Sequence, residues 1–268
     1  MTGPRPPLTD LHCHLVPAVD DGARTLEDAI GWLETFRDEG ILRVVTTPHL
    51  SGSRVRGTWR DRIETAWKEL EREAATRVPE VELSLSFEIR IDEPDLDLSD
   101  RRLGLGGGAL LVEFPQLVLP AFPDRMLAGV AEAGWRPVLA HPERYTGIGA
   151  AYGWIERWRA AGVVLCVNAG SLRGEHGAEA ERVARRMLAL GHADLIASDH
   201  HAREDRAPSL RAVRDGLARA GYEEAADLLA AENPQALLAG EACRPVPPVD
   251  LSPGLVRRLR RWVKGTGT

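Results

Sequence analysis

Seven short apolar runs, separated mostly by amphipathic helical stretches, set the tightest limit on what this 268-residue chain can fold into. They lie at 8–14, 41–47, 81–91, 109–114, 135–140, 163–168 and 193–198, with helical patterns at 26–39, 59–77, 120–133, 154–161, 178–190, 210–220, 223–231 and 234–238. Strands joined through helices are parallel, because a parallel pair needs a long crossover. All but the sixth run carry a histidine or an acid at or near the end: His14, His49, Glu88, Glu113, His141 and Asp199. A barrel gathers that many strand ends around one mouth, whereas a doubly wound open sheet, the alternative, spreads them along a crevice. The expected fold is therefore an α/β, distorted seven-stranded β/α barrel with its site at the C-terminal strand ends.

The first run and its sequel read LTDLHCHLVPAVDDG from Leu8 to Gly22. Alternation along an extended strand turns His12 and His14 to one side and Cys13 to the other. Pro17 and Gly22 bracket a turn that folds Asp20 or Asp21 back toward the two imidazoles. Imidazoles and carboxylates in this mixture suit manganese, iron or zinc, unlike the thiolates of a structural zinc site. Single histidines at strand ends are more often satisfied polar groups, but so many beside carboxylates favour metal binding. His176 and His192, in a loop and at a helix end, read as structural, and His200 points away from its neighbours. The glycines before residue 109 match neither a dinucleotide nor a phosphate-loop pattern.

A formal charge of −6 argues against a general nucleic-acid binder. Cys13, Cys166 and Cys243 are widely spaced and imply neither a disulfide framework nor a cysteine metal site. With no apolar signal core in MTGPRPPLTD and no membrane-length run, a cytoplasmic protein is expected.

The segments LHCHLVPAVDDG, TTPH, FEIRI, LVEFP, AHPERY, VNAGSLRG, IASDHH and ENPQALLAG occur in the order found in the polymerase-and-histidinol-phosphatase superfamily. More narrowly, residues 8–240 resemble the bacterial manganese-dependent protein-tyrosine phosphatases of capsule or exopolysaccharide synthesis. The resemblance implies three metal ions, manganese first, with iron, cobalt or zinc as alternatives. It assigns His12, His14, Asp199 and a bridging Glu88 to one ion, Asp21, His49 and His201 to a second, and Glu88, Glu113 and His141 to a third. Asp20 competes with Asp21 for its place. Arg144 in HPER and Arg206 downstream of ASDHH match arginines that meet phosphate in similar enzymes, with Arg203 a substitute for the latter. A guanidinium offers a planar fork of charged donors to phosphate oxygens.

The expected reaction is hydrolysis of phosphotyrosine in a protein, a membrane-associated bacterial tyrosine kinase being the implied partner. No cysteine nucleophile is needed, since Cys13 projects away from the ligands. FEIRI replaces the GxE form of similar proteins, so Phe87 either alters access or packs behind Glu88. A small-molecule phosphatase resembling histidinol-phosphate phosphatase is the enzymatic alternative, and a metal-stabilised interaction module the non-catalytic one. The phosphoesterase is expected to span 8–244, followed by a basic appendage at 245–268. There Leu255, Leu259 and Trp262 recur at helical spacing among arginines, a pattern for docking on the barrel or for peripheral contact with an acidic membrane.

Overall fold

A computed structural model describes residues 5–202 and 208–251 of the protein. Its strands are β1 (Leu8–Cys13), β2 (Ile41–Thr46), β3 (His49–Ser51), β4 (Glu82–Leu85), β5 (Glu88–Arg90), β6 (Ala109–Glu113), β7 (Arg136–Ala140), β8 (Val164–Asn168) and β9 (Leu195–Ala197). Every pairing between them is parallel. The third of the seven expected strands is therefore split in two, and a short strand, β3, forms where a loop was expected after the second. The second ends ahead of Pro48 as expected, since proline has no N–H for the ladder, and β3 follows directly. The third breaks at Ser86, whose hydroxyl donates to Leu103 O at 3.0 Å, and at Phe87, whose ring is buried in the core.

The breaks pass the chain from one sheet to another, with orders β1-β2-β4 and β3-β5-β6-β7-β8-β9. Thr47 N donates to Cys13 O at 2.7 Å, Ser86 N to Thr46 O at 2.9 Å and Glu88 N to Pro48 O at 3.2 Å, which ties the sheets together. At the far edge, Asp199 N donates to His12 O at 2.7 Å and His14 N to His200 O at 2.8 Å. The result is a barrel-like α/β architecture.

Helices α1 (Leu26–Asp38), α2 (Thr58–Arg77), α3 (Pro123–Glu132), α4 (Gly153–Ala160), α5 (Ala169–Leu172), α6 (Gly177–Ala189), α7 (Leu210–Arg219), α8 (Glu223–Asp227) and α9 (Asn233–Leu238) join and flank the strands. Thr25 caps α1 by accepting from Asp28 N at 3.0 Å, and Ala29, Ile30, Leu33 and Phe36 form its buried stripe. Burying each large apolar side chain of such a stripe is worth roughly 1.5–3 kcal/mol. The loop expected after the sixth run instead begins with α5, started by Asn168 Oδ1 accepting from Gly170 N at 2.8 Å. The stretch expected to be helical through residue 231 turns π-helical at Leu228–Glu232.

Strand alternation separates two apolar layers. Ala109, Leu111, Val138, Ala140, Cys166 and Leu195 belong to an inner cluster, while Leu110, Val112, Leu139, Leu165, Val167 and Ile196 join the larger core that includes the helices' apolar stripes. The parity of the inner set leads to Glu113 on β6 and Asn168 on β8, so the inner layer is the floor beneath the strand ends. The glycine-rich turn lies at the opposite end of β6. A Cβ on Gly107, φ +55°, would stand 2.2 Å from Leu237 O, so Gly107 serves close packing against α9. Val246 and Val249 are buried, and Val249 N donates to Leu188 O at 3.0 Å, so the start of the basic appendage lies against the domain. Residues 252–268, with the helical spacing of Leu255, Leu259 and Trp262, lie outside the described residues.

Candidate active site

Backbone geometry delivers the side chains to the strand ends. His141 directly follows Ala140 of the inner layer, and plain alternation would turn it outward. Its left-handed backbone, φ 36° and ψ 52°, breaks the alternation and lets the ring reach Glu88. Asp199 also has a positive φ, 50°. Such conformations are costly for residues with a Cβ and cluster at functional sites. Gly22 matters for a different reason, since a Cβ there would stand 2.1 Å from His14 O and 2.5 Å from His14 Cβ. Only glycine lets the aspartate turn lie this close to β1.

All nine residues expected as ligands come together. They form four overlapping groups, each with donor atoms within 4.8 Å: His14, Asp21, His49 and His201; His12, Glu88 and His141; His12, His14 and Asp199; His49, Glu88 and Glu113. Glu88 belongs to two groups and is wholly buried. The grouping differs in detail from the expected one. Glu113 sits with His49, its Oε1 3.2 Å from Nδ1, while its Oε2 is 3.9 Å from His141 Nε2.

The two aspartates divide by direction. Asp20 Oδ2 lies 2.8 Å from His14 Nδ1 and accepts from His49 N at 3.1 Å, and Asp20 Oδ1 accepts from Gly22 N at 3.0 Å. That places the proton of His14 on Nδ1 and leaves the Nε2 lone pair for the site. Asp21 is the member that faces the rings, its Oδ1 3.4 Å from His201 Nε2 and 3.6 Å from His49 Nε2. The hydrogen bond to His201 holds the Asp21 carboxyl well below the usual range. His201 Nδ1 donates to Asp199 O at 2.8 Å, which again turns Nε2 inward.

Donor spacing tests whether an ion fits. His12 Nε2 is 3.2 Å from His14 Nε2, 3.2 Å from Glu88 Oε2 and 3.3 Å from Asp199 Oδ1. His14 Nε2 is 3.5 Å from each of those two oxygens. Adjacent ligands bonded to one first-row ion at about 2.0–2.2 Å stand roughly 3.0–3.5 Å apart. His49 Nδ1 and Glu88 Oε2 lie 2.9 Å apart yet are not aligned as donor and acceptor, and both are buried without a hydrogen-bond partner. Lone pairs packed this closely, in a buried site, fit divalent cations.

Arg144, on the 3₁₀ turn Pro142–Arg144 after β7, donates through Nη1 to Asp199 Oδ2. The same oxygen accepts from Asn168 Nδ2 at 2.9 Å, so Asp199 is held by one oxygen and offers the other to His12 and His14. Arg206 and Arg203 lie outside the described residues. Glu143 is buried and accepts from Asn168 N at 3.0 Å, and burial raises its pKa. It braces the loop.

Cys13 is buried in the outer core, and burial pushes its thiol well up from the ordinary value. His200 packs on Trp32 with ring centroids 4.1 Å apart, and burial brings it down to about 3. His192 meets Tyr152 and His176 meets Ser171, both outside the ligand groups. Phe87 is buried in the hydrophobic core. Four supporting residues escaped the sequence reading: Asn168, Arg90, Asp10 and Ser198. Asp10 accepts from Ser198 through Oγ and, at 3.0 Å, through N, joining β1 to the end of β9. Arg90 donates to Glu113 Oε1. For Asp10 and Arg90 the available signal was two-residue spacing from His12 and Glu88.

Convergent imidazoles and carboxylates at the ends of parallel strands, above an apolar floor, define a multi-metal hydrolase. Comparison places it further: the chain belongs to the capsular polysaccharide synthesis family CpsB/CapC, whose pattern matches residues 8–239. It is 28% identical over 201 residues to tyrosine-protein phosphatase YwqE of Bacillus subtilis, covering 72% of this chain and 77% of that one. It is 24% identical over 242 residues to tyrosine-protein phosphatase CpsB of Streptococcus agalactiae, covering 86% and 98%. A chain from the crystal structures of YwqE from Bacillus subtilis and CpsB from Streptococcus pneumoniae, described as metal-dependent tyrosine phosphatases, shares the fold. Its TM-score is 0.75 at 24% identity, covering 91% of this chain and all of that one. N-isopropylammelide isopropylaminohydrolase from Burkholderia multivorans shares the fold more distantly, with a TM-score of 0.52 at 14% identity over 96% and 82% of the chains.

Proposed function

We propose that this protein is a metal-dependent phosphotyrosine phosphatase serving capsule or exopolysaccharide synthesis. The observation that carries the reading is the spacing of donors around His12 and His14, which suits an ion, beside a guanidinium, Arg144, that suits phosphate. Family membership and the tyrosine-phosphatase names of the relatives support it.

His12, His14, Asp199 and Glu88 would hold one ion, Asp21, His49 and His201 a second, and Glu88, Glu113 and His141 a third. Manganese is the leading candidate, ahead of iron, cobalt or zinc. When bound, such ions lower the pKa of water and offset charge on a phosphoryl group. The chain does the rest. Asp20 and the carbonyl of Asp199 fix the tautomers of His14 and His201. Arg144, while holding Asp199 through Nη1, has further N–H donors for a phosphate oxygen, and Arg206 is assigned to the same anion. Cys13 stays out of the chemistry, and the phenolate of tyrosine leaves without a strong general acid.

The strands form a closed distorted ring in this reading, with the hydrogen bonds between the ends of β1 and β9 as its seam. Residues 8–244 are the catalytic unit and 245–268 an appendage that approaches an acidic membrane surface. Among the described residues no helix is long and apolar enough to cross a membrane. A cytoplasmic enzyme with peripheral contact, acting on the phosphorylated tail of a membrane-associated tyrosine kinase, accounts for these features. The test is hydrolysis by manganese-loaded protein of a phosphotyrosine peptide, histidinol phosphate and an oligonucleotide in parallel. Preference for the peptide is expected, and preference for histidinol phosphate would replace this reading with its small-molecule alternative.

A further inference from the structure

We infer that Arg90 is a positioning residue that aims the Glu113 carboxylate into the metal centre, an inference that rests on the metal-dependent reading above. Arg90 is two residues beyond Glu88 on β5, on the same side of the strand, and pairs in register with Glu113 of β6. Its Nε and Nη2 each lie 3.0 Å from one oxygen of that acid, Oε1. The Glu113 side chain is 6% exposed and that of Arg90 35%, so the guanidinium covers the carboxylate on its solvent side. So held, Oε1 stays 3.2 Å from His49 Nδ1 while Oε2 faces His141, whose Nε2 is 3.9 Å away.

The same device occurs across the site. Asp199 is held through Oδ2 by Arg144 and Asn168, and its Oδ1 faces His12 and His14. In both places a guanidinium grips one oxygen of a strand-end carboxylate and so fixes the direction of the whole group. A free glutamate would rotate about its side-chain torsions, and its nearest neighbours here include Glu88, a like charge sharing the same histidine. The guanidinium removes that rotational freedom and compensates the repulsion. Lysine at 90 would supply charge without the two-point grip.

The experiment is manganese binding by equilibrium dialysis with elemental analysis, on full-length wild type, Arg90→Gln and Arg90→Lys, beside thermal melts of the metal-free proteins and steady-state kinetics. Arg90→Gln should lose about 10–100-fold in affinity for one ion while the remaining ions bind as in wild type. Its kcat at limiting manganese should fall and recover with excess manganese, and Arg90→Lys should lie between. Superimposable binding isotherms would overturn the inference. So would a rise in KM for phosphopeptide with metal affinity unchanged, which would make Arg90 a substrate contact. If the metal-free Gln variant fails to fold, the Lys variant decides by the same two measurements. A wild type that neither binds manganese nor hydrolyses phosphotyrosine would instead sink the underlying functional reading.

Discussion

Asp20 Oδ2 stands 2.8 Å from His14 Nδ1, while the adjacent Asp21 directs its Oδ1 to His201 and His49. The first aspartate orients a candidate ligand, His14, and the second is placed to be one itself. Replacing Asp20 by Ala should weaken metal binding by roughly 10–100-fold and leave the number of ions at saturation unchanged. Replacing Asp21 by Ala should remove one ion at any practical concentration. Elemental analysis across a manganese titration distinguishes the two, and reversed behaviour would exchange their roles.

Gly22 carries no functional group, yet its substitution should be among the most damaging near the site. An added methyl would meet the backbone and Cβ of His14 at 2.1–2.5 Å. The turn must then move and take Asp20 and Asp21 with it. Gly22→Ala should lose metal affinity at least as severely as Asp20→Ala, while Gly31→Ala, with nothing within 4 Å, should bind normally.

The metal-free site should hold protons that ions displace. Burial opposes charge on His49, but Glu113 and Glu88 outweigh it and raise its pKa from 6.5 to about 10. Burial likewise opposes charge on His14, and Asp199, Asp20 and Glu88 hold it well above the ordinary value. A raised pKa stabilises the fold fully below about pH 6.5, and that stability fades as pH rises through about 10. Ions need neutral imidazoles, so apparent manganese affinity should climb from pH 6.5 to 8.5 by roughly tenfold per pH unit for each proton released. Affinity independent of pH would show that the metal-free histidines are already neutral.

Much of this site was legible because its chemistry is written into strand ends. His12, His14 and Glu113 lie at the ends of apolar runs whose alternation points them one way, and Glu88 and His141 stand within or just after such runs. What was not legible depends on tertiary geometry. Adjacent aspartates differ only by the turn that Gly22 permits, and nothing in the order of letters separates them. The left-handed backbone at His141 corrects a parity that simple alternation gets wrong. The union of Asp10 with Ser198 spans 188 residues, so neither residue announces the other. The strand that resumes after Pro48 and the break at Phe87 arise where one sheet hands over to the next, a demand of the whole barrel rather than of either segment.

Arg144 should act on phosphate more than on metal. Arg144→Ala should lower kcat/KM for a phosphotyrosine peptide by about 10²–10³-fold with metal content nearly unchanged, and Arg144→Lys should recover only part of it. Because Arg144 also grips Asp199, loss of an ion from the Ala variant would reassign it to support of that ligand.

The central claim is that the clustered histidines and carboxylates hold ions on which turnover depends, with no thiol involved. The most direct measurement follows phosphate release from a phosphotyrosine peptide by wild type and Cys13→Ser, each stripped of metal and then titrated with manganese. Both should be inactive when stripped and recover in step with bound manganese to similar rates. Full activity of the stripped wild type, or a folded, manganese-loaded Cys13→Ser protein without activity, would contradict the account.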